Sequence, residues 1–222
     1  MQEKYNETDR NEESARTLVI EGRNAVLEAI RAGKPIDKLF ILDGCQDGPV
    51  RTIVREAKKR RIVLSFVDRE RLSHLSETGK HQGVVAFAAA YEYSDIDCML
   101  ELAEKKGEDP FLILLDGIEG PHNLGAIIRT ANLAGAHGVI IPKRRASGLT
   151  ATVAKTSAGA LNYTPVAKVT NLVNTMKELK KKGLWFVCAD MGGRLMYDMN
   201  MTGPIGLVIG NEGEGVSRLV RE

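Results

Sequence analysis

Apolar and polar positions along the chain fall into short blocks that switch between a strand-like and a helical period. From Thr17 to about Tyr93 the order is LVI, NAVLEAIRAG, KLFIL, VRTIVREAKKRR, VLSFV, RERLSHLSE and GVVAFAAA, brief strand-forming runs interleaved with segments of period near 3.6. This predicts a small α/β domain over residues 17–93. A polar helical stretch follows, SDIDCMLELAEKKGEDP, punctuated by Gly107 and Pro110; residues 94–110 read as a linker. Alternation then resumes over 111–222, with strands FLILL, GVIIP, YTPVAKV, LWFVCAD and IGLVI separated by helices near 123–135, 150–160 and 171–182. Such continuous apolar strands suit a parallel sheet covered on both faces, so the second domain is also α/β. Residues 1–16 carry eight charges and almost no large apolar side chains, which predicts a disordered leader.

Composition narrows the class. The 222 residues are 43% hydrophobic, enough to bury a core in one large domain or two small ones. No run nears the eighteen apolar residues of a membrane span, and the polar N-terminus has no apolar h-region. A cytoplasmic protein with no membrane partner is expected. Cys45, Cys98 and Cys188 are far apart and odd in number, which suggests neither disulfides nor zinc. His74, His81, His122 and His137 show no ligand spacing either, so no metal is expected.

Net charge is only +2, and distribution says more. Lys58 to Arg61 and Lys180 to Lys182 close amphipathic helical stretches, where cations suit the helix dipole. Lys143, Arg144 and Arg145 instead follow the strand-like GVIIP, placing them at a carboxyl edge where open α/β sheets keep their sites. They are candidates for neutralising phosphates. Aromatics make up 5% of the chain, which disfavours a binder that works by stacking single-stranded bases.

Two buried strands each run into a glycine-rich loop holding carboxylates: FLILL into DGIEGPHN, and IGLVI into GNEGEG. The second loop lacks both the Lys-Ser/Thr of a P-loop and G-x-G-x-x-G spacing, and Glu212 and Glu214 would repel phosphate. A ligand without phosphate, or with positive charge, fits better. After the first loop Asn123 is a candidate N-cap for the helix LGAIIRTANLAGA. Arg129 is that helix's one formal charge, and none other lies between Glu119 and Lys143. Its residues leave two readings open: an arginine snorkelling to solvent, or one partnered by the acidic loops at a shared sheet edge.

NLGAIIRTA resembles the first motif of the SpoU (TrmH-type) RNA 2'-O-ribose methyltransferases of the SPOUT superfamily, N-x-G-x-x-x-R-T-A, at Asn123, Gly125, Arg129, Thr130 and Ala131. LVIGNEGEGV is similar to the family's second motif, at Gly210, Asn211, Glu212, Gly213 and Gly215. AKTSAGALNYTPVAKVTNL resembles the branch that modifies ribosomal RNA, and EGRNAVLEAI with KHQGVVA resembles the family's N-terminal RNA-binding domain. The resemblance spans about residues 17–222. It implies a smaller L30e-like N-terminal α/β domain and a C-terminal α/β trefoil-knot methyltransferase domain, acting as a homodimer.

The resemblance also implies S-adenosylmethionine as cofactor and structured RNA as partner, a guanosine of 23S rRNA being preferred and transfer RNA the alternative. Arg129 would activate the ribose hydroxyl and contact phosphate; Glu212 would orient Arg129 or the nucleoside, and Asn123 would hold backbone or substrate. Ala189, Asp190, Met191, Ile209, Gly210, Asn211 and Gly213 would line the cofactor. A third family motif, a Ser-Leu-Asn segment, lies beyond Glu222, and VSRLVRE breaks off inside a helical pattern, so the reading frame is expected to continue. A silent RNA-binding relative would keep this fold without the intact Asn123, Arg129 and Glu212. A dehydrogenase would need G-x-G-x-x-G within residues 111–125, which is missing.

Overall fold

The structure, a computed structural model, describes residues 18–45, 47–89 and 91–222; the leader expected over 1–16 lies outside them. The chain divides into two compact units, the second beginning at Tyr93 and the short segment Leu149–Ala151 grouping with the first.

The N-terminal unit runs β1 (Leu18–Glu21), α1 (Arg23–Arg31), β2 (Ile36–Leu42), α2 (Gly48–Lys59), β3 (Val63–Val67), α3 (Arg69–Leu75) and β4 (Val84–Ala88). Its sheet has the order β1-β4-β2-β3, with β4 antiparallel to β1 and β2, and β2 parallel to β3. The period of two sorts side chains between two cores. Leu39, Ile41, Val84 and Ala86 pack with Val26 and Ile30 of α1 and Ile53 and Ala57 of α2. Phe40 and Val85 point the other way, onto Leu72 and Leu75 of α3. Asp47 and Asp68 cap α2 and α3, accepting from the backbone N–H of Val50 at 3.1 Å and of Arg71 at 2.7 Å.

The C-terminal unit begins with α4 (Ile96–Lys106) and continues β5 (Phe111–Asp116), α5 (Pro121–Leu133), β6 (Gly138–Pro142), α6 (Ala151–Thr156), β7 (Val166–Val169), α7 (Leu172–Lys181), β8 (Trp185–Ala189), β9 (Ile205–Gly210) and α8 (Arg218–Arg221). The five strands are all parallel, in the order β7-β6-β5-β9-β8. Leu112, Leu114, Ile140 and Val208 form a core with Leu172, Met176 and Leu179 of α7.

Three expectations need correcting. Residues 94–110 are not a linker, because Met99 and Ala103, one turn apart on α4, are fully buried and Met99 joins the C-terminal core. Gly138 makes the room: a β-carbon there would lie 2.2 Å from Met99 Sδ. The helix expected near 123 starts two residues earlier, with Gly120 as N-cap and Pro121 in the first turn, since proline's preset φ and missing N–H suit that position. Asn123 is therefore not the cap. The helix expected over 150–160 stops at Thr156, since Ala158 and Gly159 take φ of 49° and 88°; a 3-10 turn, Ala160–Asn162, follows.

Candidate active site

Strand order brings the two glycine-rich loops together. β5 and β9 are neighbours in register, Asp116 opposite Gly210, and on the other side Ala189 pairs with Ile209. The segments leaving β5, β8 and β9 thus emerge side by side at the carboxyl edge, where ligands meet open parallel sheets.

One side chain ties the loops. Asn211 donates its Nδ2–H to the carbonyl of Gly117 at 2.8 Å, while its Oδ1 accepts from the backbone N–H groups of Gly213 at 2.8 Å and Glu214 at 3.3 Å. The backbones of Asn211 and Gly215 exchange two hydrogen bonds, at 3.0 and 2.8 Å. This return is so tight that a β-carbon on Gly210 would lie 2.1 Å from the carbonyl carbon of Gly215. Beyond it, Ser217 N–H donates to Asp116 Oδ2 at 2.8 Å, and the Arg221 guanidinium meets Asp190 Oδ2 at 2.9 Å. The segment after β9 is thereby bound to the ends of both flanking strands.

These elements frame a cleft of ≈ 420 Å³, lined by Asp116, Glu119, Arg145, Glu214, Arg218 and Arg221 with the backbone around Asn211. Arg145 reaches it from the turn after β6, with φ of 54°. Cys188 stands near, but burial pushes its thiol pKa up, the Asp190 carboxylate adds to the rise, and a thiolate nucleophile is disfavoured. Among the described residues no group of three or more His, Cys, Asp or Glu is placed to hold a metal ion. No helix among them is long and apolar enough to cross a membrane.

Of the residues singled out in the sequence, Arg145, Asn211, Glu214 and Gly215 line the cleft. Ala189, Asp190, Ile209 and Gly210 gather beside it through the β8–β9 ladder. Met191 is 96% exposed, and Glu212, Gly213, Asn123 and Arg144 are also exposed, whereas Lys143 is half-buried. Of the two readings left open for Arg129, the structure has the solvent-facing one: it is exposed, and among the described residues no ion pair joins it to Glu212 or another acid. It lies one turn beyond Gly125, where α5 seats on α6 so closely that a β-carbon would meet Val153 O at 2.9 Å. Asp116 and Glu119 come from the carboxylate-bearing loop DGIEGPHN, though neither was assigned a role, and Arg218 and Arg221 were not foreseen. Asp116 was detectable as the first polar residue after FLILL, but the arginines sit in an ordinary charged helix and gave no signal.

The two units match known families separately. Residues 110–222 match the model of the SpoU rRNA Methylase family, and residues 19–94 that of the RNA 2'-O ribose methyltransferase substrate binding family. YacO of Bacillus subtilis, named as a TrmH family tRNA/rRNA methyltransferase, is 48% identical over 90% of this chain and 81% of its own. A Staphylococcus saprophyticus protein named for the same family is 45% identical over 92% and 82%. Among solved structures, the SpoU methyltransferase AviRb from Streptomyces viridochromogenes, in complex with AdoMet, is similar with a TM-score of 0.52 at 23% identity, over 98% of this chain and 81% of that one. An AdoMet-bound rRNA methyltransferase from Sinorhizobium meliloti is similar with a TM-score of 0.50 at 24% identity, over 98% and 78%; both share the fold. Fold and matched domains together define an RNA methyltransferase with its own substrate-binding domain. The chain belongs to the SpoU, or TrmH-type, family, as its two motifs led us to expect.

Proposed function

We propose that the chain transfers a methyl group from S-adenosylmethionine to a ribose 2'-hydroxyl of RNA, with a guanosine of 23S rRNA as the preferred target. The observation that supports this most is the joining of the second family motif to the loop that leads into the first, at one sheet edge, through the Asp116–Gly210 register and the Asn211 to Gly117 hydrogen bond. The reading carries with it a trefoil-knotted C-terminal domain and a homodimer in the cytoplasm.

The residues present fit the cofactor. Ala189, Met191 and Ile209 offer accessible apolar surface, the loop at Gly213 offers open backbone, and the carboxylates of Asp116, Glu119 and Glu214 favour a cationic ligand. When bound, S-adenosylmethionine supplies an electrophilic methyl group on a positively charged sulfur. Ala189, Asp190, Met191, Ile209, Gly210, Asn211 and Gly213 would hold it.

Arg129, with no carboxylate paired to it among the described residues, is available to RNA. A guanidinium stays protonated at any physiological pH, so its part is to contact phosphate and stabilise negative charge growing on the hydroxyl oxygen. Glu212 orients the target nucleoside, and Asn123 supports the backbone at the start of α5. Lys143, Arg144 and Arg145 contact phosphates and set the register of the RNA without reading its sequence.

The test is transfer of labelled methyl to ribosomal and transfer RNA isolated from a strain lacking the gene, with the modified nucleotide mapped. Ribosomal guanosine is the expected product; label confined to transfer RNA would move the substrate. Arg129→Ala should lower the rate by about 10³-fold while calorimetry shows unchanged cofactor affinity. Normal turnover would remove Arg129 from the mechanism.

A further inference from the structure

We infer that the N-terminal unit carries a site of its own, a pocket that takes one unpaired nucleotide of the RNA; this rests on the RNA reading above. The pocket measures ≈ 430 Å³, with Leu42, Cys45, Arg69, Ser73 and Gln82 in its lining. That volume lies in the range that encloses a small organic ligand.

Its walls are the segments EGRN and TGKHQG, locked together from both sides. The Glu21 carboxylate accepts from the Ser76 hydroxyl and, at 2.9 Å, from the Thr78 N–H. Gln82 Oε1 accepts from Arg23 N–H at 3.2 Å, and Arg23 Nε–H donates to the Gln82 carbonyl at 3.0 Å. A mould held this way needs little reordering on binding.

Charge selects the ligand. Arg23 is engaged by Asp47 at 2.5 Å, and no carboxylate lines the pocket. Arg69 in the lining and Lys80, between the lining residues Gly79 and His81, are exposed. Among the described residues neither side chain has a partner. An anion is therefore favoured. The cleft of the other unit contrasts with this, its arginines facing three carboxylates.

The remaining lining suits a nucleobase. Buried His81 accepts the Gly83 N–H at Nδ1, 3.1 Å, so the neutral ring carries its proton on Nε2, directed at Ser73 Oγ at 3.3 Å. The Ser73 hydroxyl proton is thereby free to turn toward a ligand. Gln82 spends its oxygen on Arg23 and keeps its amide N–H groups. Leu42 and Cys45 add apolar surface, and a guanidinium such as Arg69's gives a plane for stacking. One unpaired nucleotide, its base edge on Ser73 and Gln82 and its phosphate on Arg69 and Lys80, meets all of these groups.

The experiment uses the full chain with an RNA hairpin carrying 2-aminopurine in its loop, and the same stem as a blunt duplex. We expect tighter binding of the hairpin, with a change in 2-aminopurine emission. Arg69→Gln and Lys80→Gln, each checked for native circular dichroism, should weaken hairpin binding about tenfold and lower the slope of log affinity on log salt by about one. Cofactor affinity should stay as in the parent. Equal affinity for hairpin and duplex, or variants that bind the hairpin as the parent does, overturns the pocket even if methyl transfer to RNA persists. A parent that binds neither probe and methylates no RNA overturns the RNA reading as well.

Discussion

In each unit one side chain with several bonds ties two ligand-facing loops together, and the two side chains differ in kind. In the N-terminal unit the tie is the Glu21 carboxylate, which only accepts: from the Ser76 hydroxyl and the Thr78 N–H. In the C-terminal unit it is the Asn211 amide, which donates to the Gly117 carbonyl and accepts from two N–H groups. A carboxylate cannot do the second job, because it has no proton to give at neutral pH. Electrostatics point the same way. A negative tie is tolerable beside the exposed cations Arg69 and Lys80, whereas the cleft near Asn211 already holds Asp116, Glu119 and Glu214.

Three substitutions would break or sharpen this contrast, beginning with the most severe. Gly210→Ala places a β-carbon 2.1 Å from the Gly215 carbonyl carbon. Backbone cannot move aside as a side chain can, so a loss of about 3 kcal/mol or more is expected. Hydrogen exchange should show it in β9 and the loop after it, and leave β1 to β4 as protected as before. Native protection of the loop would mean the crossing is looser than it looks.

Asn211→Asp comes next. It faces a carboxylate against the Gly117 carbonyl and leaves that acceptor without its donor, at a cost of about 2 kcal/mol. Denaturant midpoints should place it below Asn211→Ala, which adds no charge; the reverse order would show that the donated bond matters little.

Glu21→Gln has the smallest effect and the clearest sign. Partial burial alone would raise the Glu21 carboxyl, but the bonds from Ser76 and Thr78 hold its pKa below the ordinary value. Stability from a depressed carboxylate is fully present above the unfolded pKa and is lost as pH falls through the folded one. The N-terminal unit should accordingly loosen between weakly and strongly acidic pH, and Glu21→Gln should flatten that dependence. A variant with the parent's acid profile would assign the sensitivity to other carboxylates.

Much of the architecture was legible because burial writes its period into the chain. FLILL, GVIIP and IGLVI became parallel strands, the first two buried through their middles while Leu207 and Ile209 of the third stay half-buried, and Leu39, Phe40 and Ile41 fell on alternate faces as a period of two requires. Where reading failed, a local signal lost to packing or geometry. The stretch 94–110 looked like a linker because most of α4 is polar, yet Met99 and Ala103 alone suffice to seat it on the C-terminal core. Asn123 had the chemistry of a cap, but Pro121 starts the helix earlier.

By itself the sequence determined the order and type of elements, the two motifs and thus the family, since these depend on residues close along the chain. Only the tertiary structure decided which loops meet. Asn211 and Gly117 are 94 positions apart and become neighbours because β9 inserts between β5 and β8. That strand order is set by how whole faces bury against one another, a property no short segment encodes. For the same reason the grouping of Arg145 with Asp116 and Arg221, and the solvent exposure of Arg129, came into view only with the fold.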